Sequence, residues 1–195
     1  MNPLEIVAVA FGLANIVLLV RRSIWNFPFG IAMVGFYAVI FFEARLYAEA
    51  GLQVFFAVVQ IYGWALWAKA GGARHAVPVG WLAWPARLAW LAAIAMITAM
   101  LGTLLSRFTD AALPYPDAAI AAASIAAQFL LSFRRIENWV LWIAIDIGAI
   151  GLYIARDLHL TAGLYGVFLV LSVLGLREWI KAAAKPALPG GEAVA

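Results

Sequence analysis

Apolar residues occur in seven long runs along the chain, and short segments richer in charged residues, Gly and Pro separate them. A helix needs about 20 residues, within a range of about 17–25, to cross a hydrocarbon core of about 30 Å. The longer runs reach that length, and the shorter ones can extend into their flanks. We therefore predict seven transmembrane helices, at Leu4–Val20, Ile24–Phe42, Leu52–Ala68, Ala86–Leu105, Ala118–Phe133, Trp139–Ala155 and Ala162–Ile180.

Two of the separating segments carry strong helix-breaking signals. Lys69–Pro85 contains two adjacent Gly and two Pro, and Ser106–Asp117 contains two Pro. The first apolar run differs from a secretory signal, because Glu5 precedes it and its basic residues follow it. We expect this run to be a retained helix.

An internal repeat links the two halves of the chain at an offset of 112 residues. When residues 45–67 are laid over residues 157–179, 8 of the 23 aligned positions are identical. The identical pairs are Leu46/Leu158, Ala50/Ala162, Gly51/Gly163, Leu52/Leu164, Phe56/Phe168, Val58/Val170, Gly63/Gly175 and Trp67/Trp179.

Helices one to three then correspond to helices five to seven, and helix four connects them. Both repeats enter the membrane from the same side, as in SWEET-type transporters, whose substrate site lies between parallel repeats. We therefore predict an all-α membrane protein with a SWEET-like 3+1+3 repeat. Its single transmembrane domain covers residues 1–182, with repeat one at 1–69, the connector helix at 86–105 and repeat two at 117–182. Residues 183–195 are expected to form a disordered cytoplasmic tail.

The composition agrees with a membrane protein. Hydrophobic residues make up 67% of the chain and charged residues 12%, with a mean hydropathy of +0.98, whereas soluble domains carry about 25% charged residues. With the N-terminus outside, ten of the 13 Lys and Arg residues fall on the inner side and three on the outer side. The positive-inside rule therefore predicts an outer N-terminus and a cytoplasmic C-terminus. Because the basic residues lie in short loops, we expect no nucleic-acid binding.

No motif in the sequence indicates an enzyme. The chain has no Cys and two His, and it lacks the phosphate-binding, zinc-protease and serine-hydrolase motifs. We therefore expect no catalytic residue, no metal site and no cofactor.

Helix three carries a stripe that mixes amides with large aromatic side chains. Its members share one face of a 3.6-residue helix and are Gln53, Phe56, Gln60, Gly63, Trp64 and Trp67. One interpretation is helix packing, in which amides bond to neighbouring helices and Gly permits close approach. The other is contact with a substrate, which we favour for Gln53 and Gln60, whereas Gly63 and Trp67 fit packing well.

Helix six carries Trp139, Trp142, Asp146 and Tyr153 on one face. A carboxylate near the centre of a membrane helix costs about 2.5–3.5 kcal/mol on insertion scales, so Asp146 requires a partner, a polar cavity or neutralisation. The structural alternative is a buried ion pair or a hydrogen bond to another helix. No basic residue is predicted at the same depth, which favours a cavity shared with a polar or cationic substrate. The Trp rings could stack on a flat ring or face a cation.

Helix two begins near Trp25 and Asn26, and Pro28 and Gly30 follow closely. Pro and Gly in a spanning helix free backbone groups that line a cavity or are satisfied by neighbouring helices. A substrate-binding role and a simple kink both remain open for this segment.

Together, the motifs Gln53-x2-Phe56-x3-Gln60-x2-Gly63-Trp64-x2-Trp67 and Trp139-x2-Trp142-x3-Asp146-x6-Tyr153 resemble those of the Pnu family of vitamin transporters, and the resemblance extends from residue 25 to residue 179. It implies a bacterial inner-membrane protein, a homotrimer, and facilitated diffusion of nicotinamide riboside that is trapped by cytosolic phosphorylation. It also implies substrate contacts by Gln53, Phe56, Gln60, Trp64, Trp139, Trp142, Asp146, Tyr153, Trp25 and Asn26.

The residue at position 146 leaves the vitamin open. Family members carry Asn or Asp at the corresponding position, and both nicotinamide riboside and thiamine are cationic heteroaromatic molecules. Nicotinamide riboside is the first expectation and thiamine the alternative. A non-transporting membrane scaffold subunit, in which the aromatic stripes serve packing only, is the alternative from a different functional class.

Overall fold

The computed structural model describes residues 3–43, 47–71, 76–109, 113–155 and 159–184, and this part of the chain folds into seven α-helices. Their bounds are α1 Pro3–Val20, α2 Asn26–Glu43, α3 Tyr47–Lys69, α4 Trp84–Phe108, α5 Pro114–Ser132, α6 Glu137–Ala155 and α7 His159–Ala184. Each predicted apolar run corresponds to one of these helices. Of the predicted tail at 183–195, residues 183 and 184 belong to α7, and the rest lies outside the described residues.

The largest differences from the predicted bounds occur at helix ends. Helix α3 begins five residues before the predicted start, and α7 continues to Ala184. Helix α5 begins at Pro114, although the two prolines there favoured a loop. Proline fits the first turn of a helix because the backbone N–H groups of that turn have no intrahelical acceptor. The same reason explains Pro28, the third residue of α2.

Within the described residues, three helical stretches are long and apolar enough to cross a membrane. They are Ala50–Lys69, Trp84–Phe108 and Ala162–Ala184, and the apolar stretches Ile6–Val20 and Asn26–Ile40 are shorter. Large apolar side chains such as Met96 and Phe108 of α4 face outward. A surface of this kind suits a lipid solvent.

The helix contacts reproduce the internal repeat. Helix α1 packs against α2 and α7, α3 against α2 and α5, and α6 against α5 and α7. If α1, α2 and α3 exchange places with α5, α6 and α7, the same pairs of helices are in contact. Among the described helices, α4 packs against α5 alone. The fold is therefore a 3+1+3 arrangement related by an approximate two-fold axis.

Two tryptophan hydrogen bonds show the same symmetry in atomic detail. The indole Nε1 of Trp67 donates to the backbone oxygen of Leu131 over 3.3 Å, and that of Trp179 donates to the backbone oxygen of Leu19 over 3.1 Å. The two donors are 112 residues apart, and so are the two acceptors. Each bond joins the third helix of one repeat to the first helix of the other.

Further contacts show that the repeat extends beyond residues 45–67 and 157–179, where sequence identity revealed it. Phe27 packs edge-on against the first of these indoles and Trp139 edge-on against the second, with ring centroids 5.2 and 5.7 Å apart. Asn26 and Asn138, both buried, each donate to the carbonyl three residues earlier, over 2.7 and 2.6 Å. These pairs again differ by 112 residues, so helices α1 and α2 correspond to α5 and α6.

An extended segment at residues 76–83 lies across the axis at one end of the bundle. The backbone N–H of Val77 donates to the oxygen of Arg22, and that of Gly80 donates to the oxygen of Arg134. These two acceptors are repeat equivalents, and both have positive φ angles, 55° and 60°. Val77 completes a buried cluster that consists of Leu19, Ile24, Phe27, Trp67, Val77, Leu131, Ile136, Trp139 and Trp179.

The symmetric indole bonds lead to a prediction about stability. We expect Trp67→Phe and Trp179→Phe each to destabilise the protein by about 0.5–1.5 kcal/mol, because each removes one buried indole hydrogen bond while the carbonyl keeps its backbone donor. Thermal unfolding in detergent measures the change. Trp84→Phe, at a side chain that is 67% exposed, is the control and should leave the unfolding temperature unchanged. Unchanged unfolding in both buried variants would show that these bonds add nothing to stability.

Candidate functional site

A cavity of about 540 Å³ lies between the two repeats, and every helix except α4 contributes to its wall. The polar wall residues are Asn15, Asn26, Gln53, Gln60, Ser124, Gln128, Asp146 and Ser172, and the aromatic ones are Tyr37, Trp139, Trp142, Tyr165 and Phe168. Small-molecule sites typically occupy about 300–1,000 Å³ and combine an apolar wall with a few polar groups. This cavity has both properties.

The cavity straddles the approximate two-fold axis. Seven pairs of wall residues are separated by the repeat offset of 112 positions, so both members of each pair face the same space. They are Ala8/Ile120, Gly12/Ser124, Ile16/Gln128, Leu19/Leu131, Met33/Ile145, Gln53/Tyr165 and Gln60/Ser172. Most of these pairs differ in side-chain chemistry. A nearly symmetric scaffold therefore encloses an asymmetric site.

One end of the cavity is closed. Leu19, Leu131 and Trp139 belong both to its wall and to the buried cluster under residues 76–83. The cluster and that extended segment separate the cavity from the loops at this end of the bundle.

The structure brings six of the ten predicted site residues to the cavity wall: Asn26, Gln53, Gln60, Trp139, Trp142 and Asp146. They come from α2 and α3 of repeat one and from α6 of repeat two. The Tyr153 side chain lies outside the described residues.

Three predicted site residues lie away from the cavity wall. Trp25 precedes the first residue of α2 and is 63% exposed. Trp64 lies one turn beyond Gln60 toward the helix end and is 39% exposed, which shows that the α3 stripe is longer than the cavity. Phe56 is half-buried and packs against Phe55.

Asp146 is buried, and its Oδ2 accepts a hydrogen bond from the Ser172 hydroxyl over 3.0 Å. This bond joins α6 to α7, as the structural alternative for a membrane carboxylate anticipated. The same residue also lines the cavity. In the described part of the chain no basic side chain pairs with it. A cationic group bound in the cavity would supply the missing charge.

Gly30 makes room for two amides of the wall. A Cβ atom at this position would overlap the Gln60 Oε1 and Asn15 Nδ2 atoms. Asn15 Nδ2 is held by donating to the Asn26 backbone oxygen over 2.7 Å. The side-chain amide of Gln60 makes no hydrogen bond with any described residue. The sequence drew attention to Gly30 as a helix breaker, whereas the structure shows that its missing side chain is the important property.

Several wall residues were absent from the sequence prediction. Ser172, Tyr165 and Phe168 are the repeat equivalents of Gln60, Gln53 and Phe56, so applying the 112-residue offset to the α3 stripe would have identified them. Asn15, Ser124 and Gln128 are isolated polar residues within apolar runs, a pattern that in membrane helices often marks a functional site.

No metal site accompanies the cavity in the described ranges, since no group of three His, Cys, Asp or Glu side chains there could hold an ion. The cavity wall offers rings, amides, hydroxyls and one carboxyl group for binding.

Known proteins share this sequence and fold. The chain matches the profile of the nicotinamide mononucleotide transporter family over residues 2–181. It is 28% identical to the nicotinamide riboside transporter PnuC of Escherichia coli, over 92% of this chain and 86% of that protein. It is 31% identical to PnuC of Neisseria mucosa, over 92% and 74%. It is 29% identical to the riboflavin/roseoflavin transporter RibM of Streptomyces davaonensis, over 90% and 83%.

A solved structure shows the same architecture. The crystal structure of the vitamin B3 transporter PnuC superimposes with a TM-score of 0.76 at 29% identity, over 93% of this chain and 83% of that one. The family and its solved fold favour transport over a scaffold or an enzyme. With the apolar helices, they establish a multi-pass protein of the inner membrane. The chain therefore belongs to the nicotinamide mononucleotide transporter family and is a membrane transporter.

Proposed function

We propose that this protein imports nicotinamide riboside by facilitated diffusion and that cytosolic phosphorylation traps the substrate. The cavity between the repeats carries this proposal, because its wall combines tryptophan rings, several side-chain amides and a buried carboxyl group. Nicotinamide riboside has a flat cationic ring joined to a sugar. Each part of the molecule has a chemically suitable partner in the wall.

Different wall residues suit different parts of the substrate. Trp139 and Trp142 offer ring faces for stacking or for a cation, and the Asp146 carboxyl group complements the positive ring. Asn26, Gln53 and Gln60 offer amide donors and acceptors for the carboxamide and the sugar hydroxyls.

Thiamine is the second candidate substrate, and Asp146 is the observation that favours it. Thiamine also carries a positive charge on a heteroaromatic ring, so the carboxyl group and the tryptophans suit it equally well. Riboflavin, which appears in the name of the relative RibM, has a larger ring system and lacks that positive charge.

Uptake into proteoliposomes tests the proposed substrate. We expect saturable entry of labelled nicotinamide riboside into vesicles that contain the purified protein, with no requirement for an ion gradient. Unlabelled thiamine and riboflavin serve as competitors. Saturable entry of thiamine alone would establish the alternative, and the absence of saturable entry for all three vitamins would refute the proposal.

A pair of tryptophan variants tests the site. We expect Trp142→Ala to lower nicotinamide riboside affinity by about tenfold, because a well-packed aromatic contact of about 1.4 kcal/mol is lost. Trp64→Ala is the control, because it also replaces a tryptophan but at a position outside the cavity wall. Its affinity should stay within about twofold of the wild-type value. Isothermal titration calorimetry measures both. Equal losses in the two variants would contradict the location of the site.

The outer N-terminus and cytoplasmic C-terminus are part of the proposal, and the distribution of basic residues supports them. The chain contains no Cys, so a single introduced Cys reports on which side of the membrane its loop lies. In intact cells we expect an impermeant maleimide to label Leu113→Cys and to spare Ala76→Cys, both at exposed positions. The opposite pattern would reverse the topology.

We also propose a homotrimer, as the resemblance to the Pnu family implies. The outward apolar surface of α4, which packs only against α5 among the described helices, is available for lipid or for another copy. Native mass spectrometry from mild detergent measures the number of copies directly.

A further inference from the structure

Gln128 lies in the cavity wall on α5, and no motif in the sequence assigned it a role. Its side chain is 8% exposed, and its amide makes no hydrogen bond with any described residue. The amide faces the cavity, so a molecule bound there could supply its hydrogen-bond partners.

Packing alone does not require an amide at this position. Ile16 is the repeat equivalent of Gln128, and it lines the same cavity from α1. The scaffold therefore accepts a branched apolar side chain where the helix environment is closely similar. A reason other than folding must account for the polar residue in repeat two.

The packing of α3 on α5 brings Gln60 to a level near Gln128. Ring contacts pair Phe55 with Phe129 and Tyr62 with Phe133, so the two helices run in the same direction. One turn beyond the two glutamines, Gly63 lies against Ser132, whose hydroxyl donates to the Gln128 backbone oxygen over 2.9 Å. The wall thus carries two buried amides, both unpaired within the described residues, on adjacent helices.

Two amides at one level suit a group with several hydroxyls. Each amide has a carbonyl acceptor and an NH₂ donor, and each hydroxyl can donate and accept in turn. Neighbouring sugar hydroxyls could therefore bond to both side chains. The tryptophans and Asp146 belong to α6, which leaves the α3 and α5 side of the cavity for the sugar.

We propose that Gln128 and Gln60 bind the hydroxyls of the ribose-derived part of the substrate, and that Gln128 is a specificity-determining residue. This inference rests on the proposed function. It also fits the substrates named for the relatives, because nicotinamide riboside and riboflavin have different rings but both carry a ribose-derived chain of hydroxyls. The hydroxyl-binding side would then be the part of the site that such transporters hold in common.

Calorimetry with substrate analogues tests the assignment. The variant is Gln128→Ile, which copies the residue of repeat one, and the ligands are nicotinamide riboside and its 2′-deoxy, 3′-deoxy and 5′-deoxy analogues. We expect the variant to bind nicotinamide riboside about tenfold more weakly than the wild-type protein does. For at least one deoxy analogue we expect the variant and the wild-type protein to have equal affinity. That analogue lacks the hydroxyl that Gln128 contacts.

Controls separate binding from packing. Gln128→Met preserves the length of the side chain and should show the same pattern, and Ile125→Leu, on α5 outside the cavity wall, should change no affinity by more than about twofold. Equal losses for every ligand, or no loss for any, would overturn the inference while leaving the proposed function intact. If thermal unfolding shows that neither Gln128 variant folds, the packing argument from Ile16 is wrong and the inference falls. If the wild-type protein binds no nicotinamide riboside, the proposed function falls as well.

Discussion

Gly30→Ala should lower nicotinamide riboside affinity tenfold or more without destabilising the protein. The added Cβ would overlap the ends of the Gln60 and Asn15 side chains, and both are flexible enough to move. Their amides would then leave their places in the cavity wall. Losing one hydrogen bond to the substrate costs about 1.4 kcal/mol, which corresponds to a factor of ten in affinity.

Gly35→Ala is the matched control, because it lies on the same helix and an added Cβ would meet no atom within 4 Å. Both substitutions favour helix formation by about 0.5–1 kcal/mol. Calorimetry and thermal unfolding should therefore show normal affinity and equal or higher stability for Gly35→Ala. If Gly30→Ala binds as tightly as the control, Gln60 does not contact the substrate.

Hydropathy was sufficient to predict the helices because the membrane imposes one strong length requirement on each. Helix ends were harder to predict. Pro114 and Pro116 are helix breakers in isolation but fit the first turn of α5, and sequence alone does not reveal which N–H groups have acceptors. The repeat was detected where Gly, Phe and Trp coincide. It extends into α1, α2, α5 and α6, where Phe27 and Trp139 are equivalent in position and different in identity.

The centres of both predicted stripes lie on the cavity wall, and the end of the α3 stripe lies outside it. Gln53 and Gln60 face the cavity, whereas Trp64, on the same stripe, lies past its limit. Periodicity specifies which face of a helix points inward and contains no information about how far a cavity extends along that face. The contribution of α1 and α5 could not be predicted from motifs, because Asn15 and Gln128 stand alone in apolar runs.

The structure suggests how a symmetric scaffold acquires a directional binding site. At position 30 of repeat one the helix has Gly, and at the equivalent position of repeat two it has Trp142. The space left by the Gly holds the Gln60 and Asn15 amides, and the opposite side holds an aromatic ring. Val34 and Asp146 are likewise equivalent in position. At these two pairs of positions the repeats differ in side-chain chemistry, which makes the two sides of the axis different.

Asp146→Asn should weaken the binding of cationic vitamins about tenfold or more and leave folding intact. The substitution removes the negative charge with almost no change in shape, and an Asn oxygen can still accept the Ser172 hydrogen bond seen in the structure. Because a carboxylate in a membrane helix is costly, the variant should be equally stable or more stable. A carboxylate–cation interaction of about 1.4 kcal/mol accounts for the factor of ten.

Measuring nicotinamide riboside and thiamine on both proteins distinguishes the remaining interpretations of this residue. Weaker binding of both ligands means that the carboxyl group recognises positive charge in general. If only thiamine is lost, Asn at this position is compatible with nicotinamide riboside and the Asp favours thiamine as the natural substrate. Glu178→Gln, which removes an exposed carboxylate paired with Lys181, should alter neither affinity. Unchanged binding of both vitamins by a folded Asp146→Asn protein would show that Asp146 serves the α6–α7 contact alone.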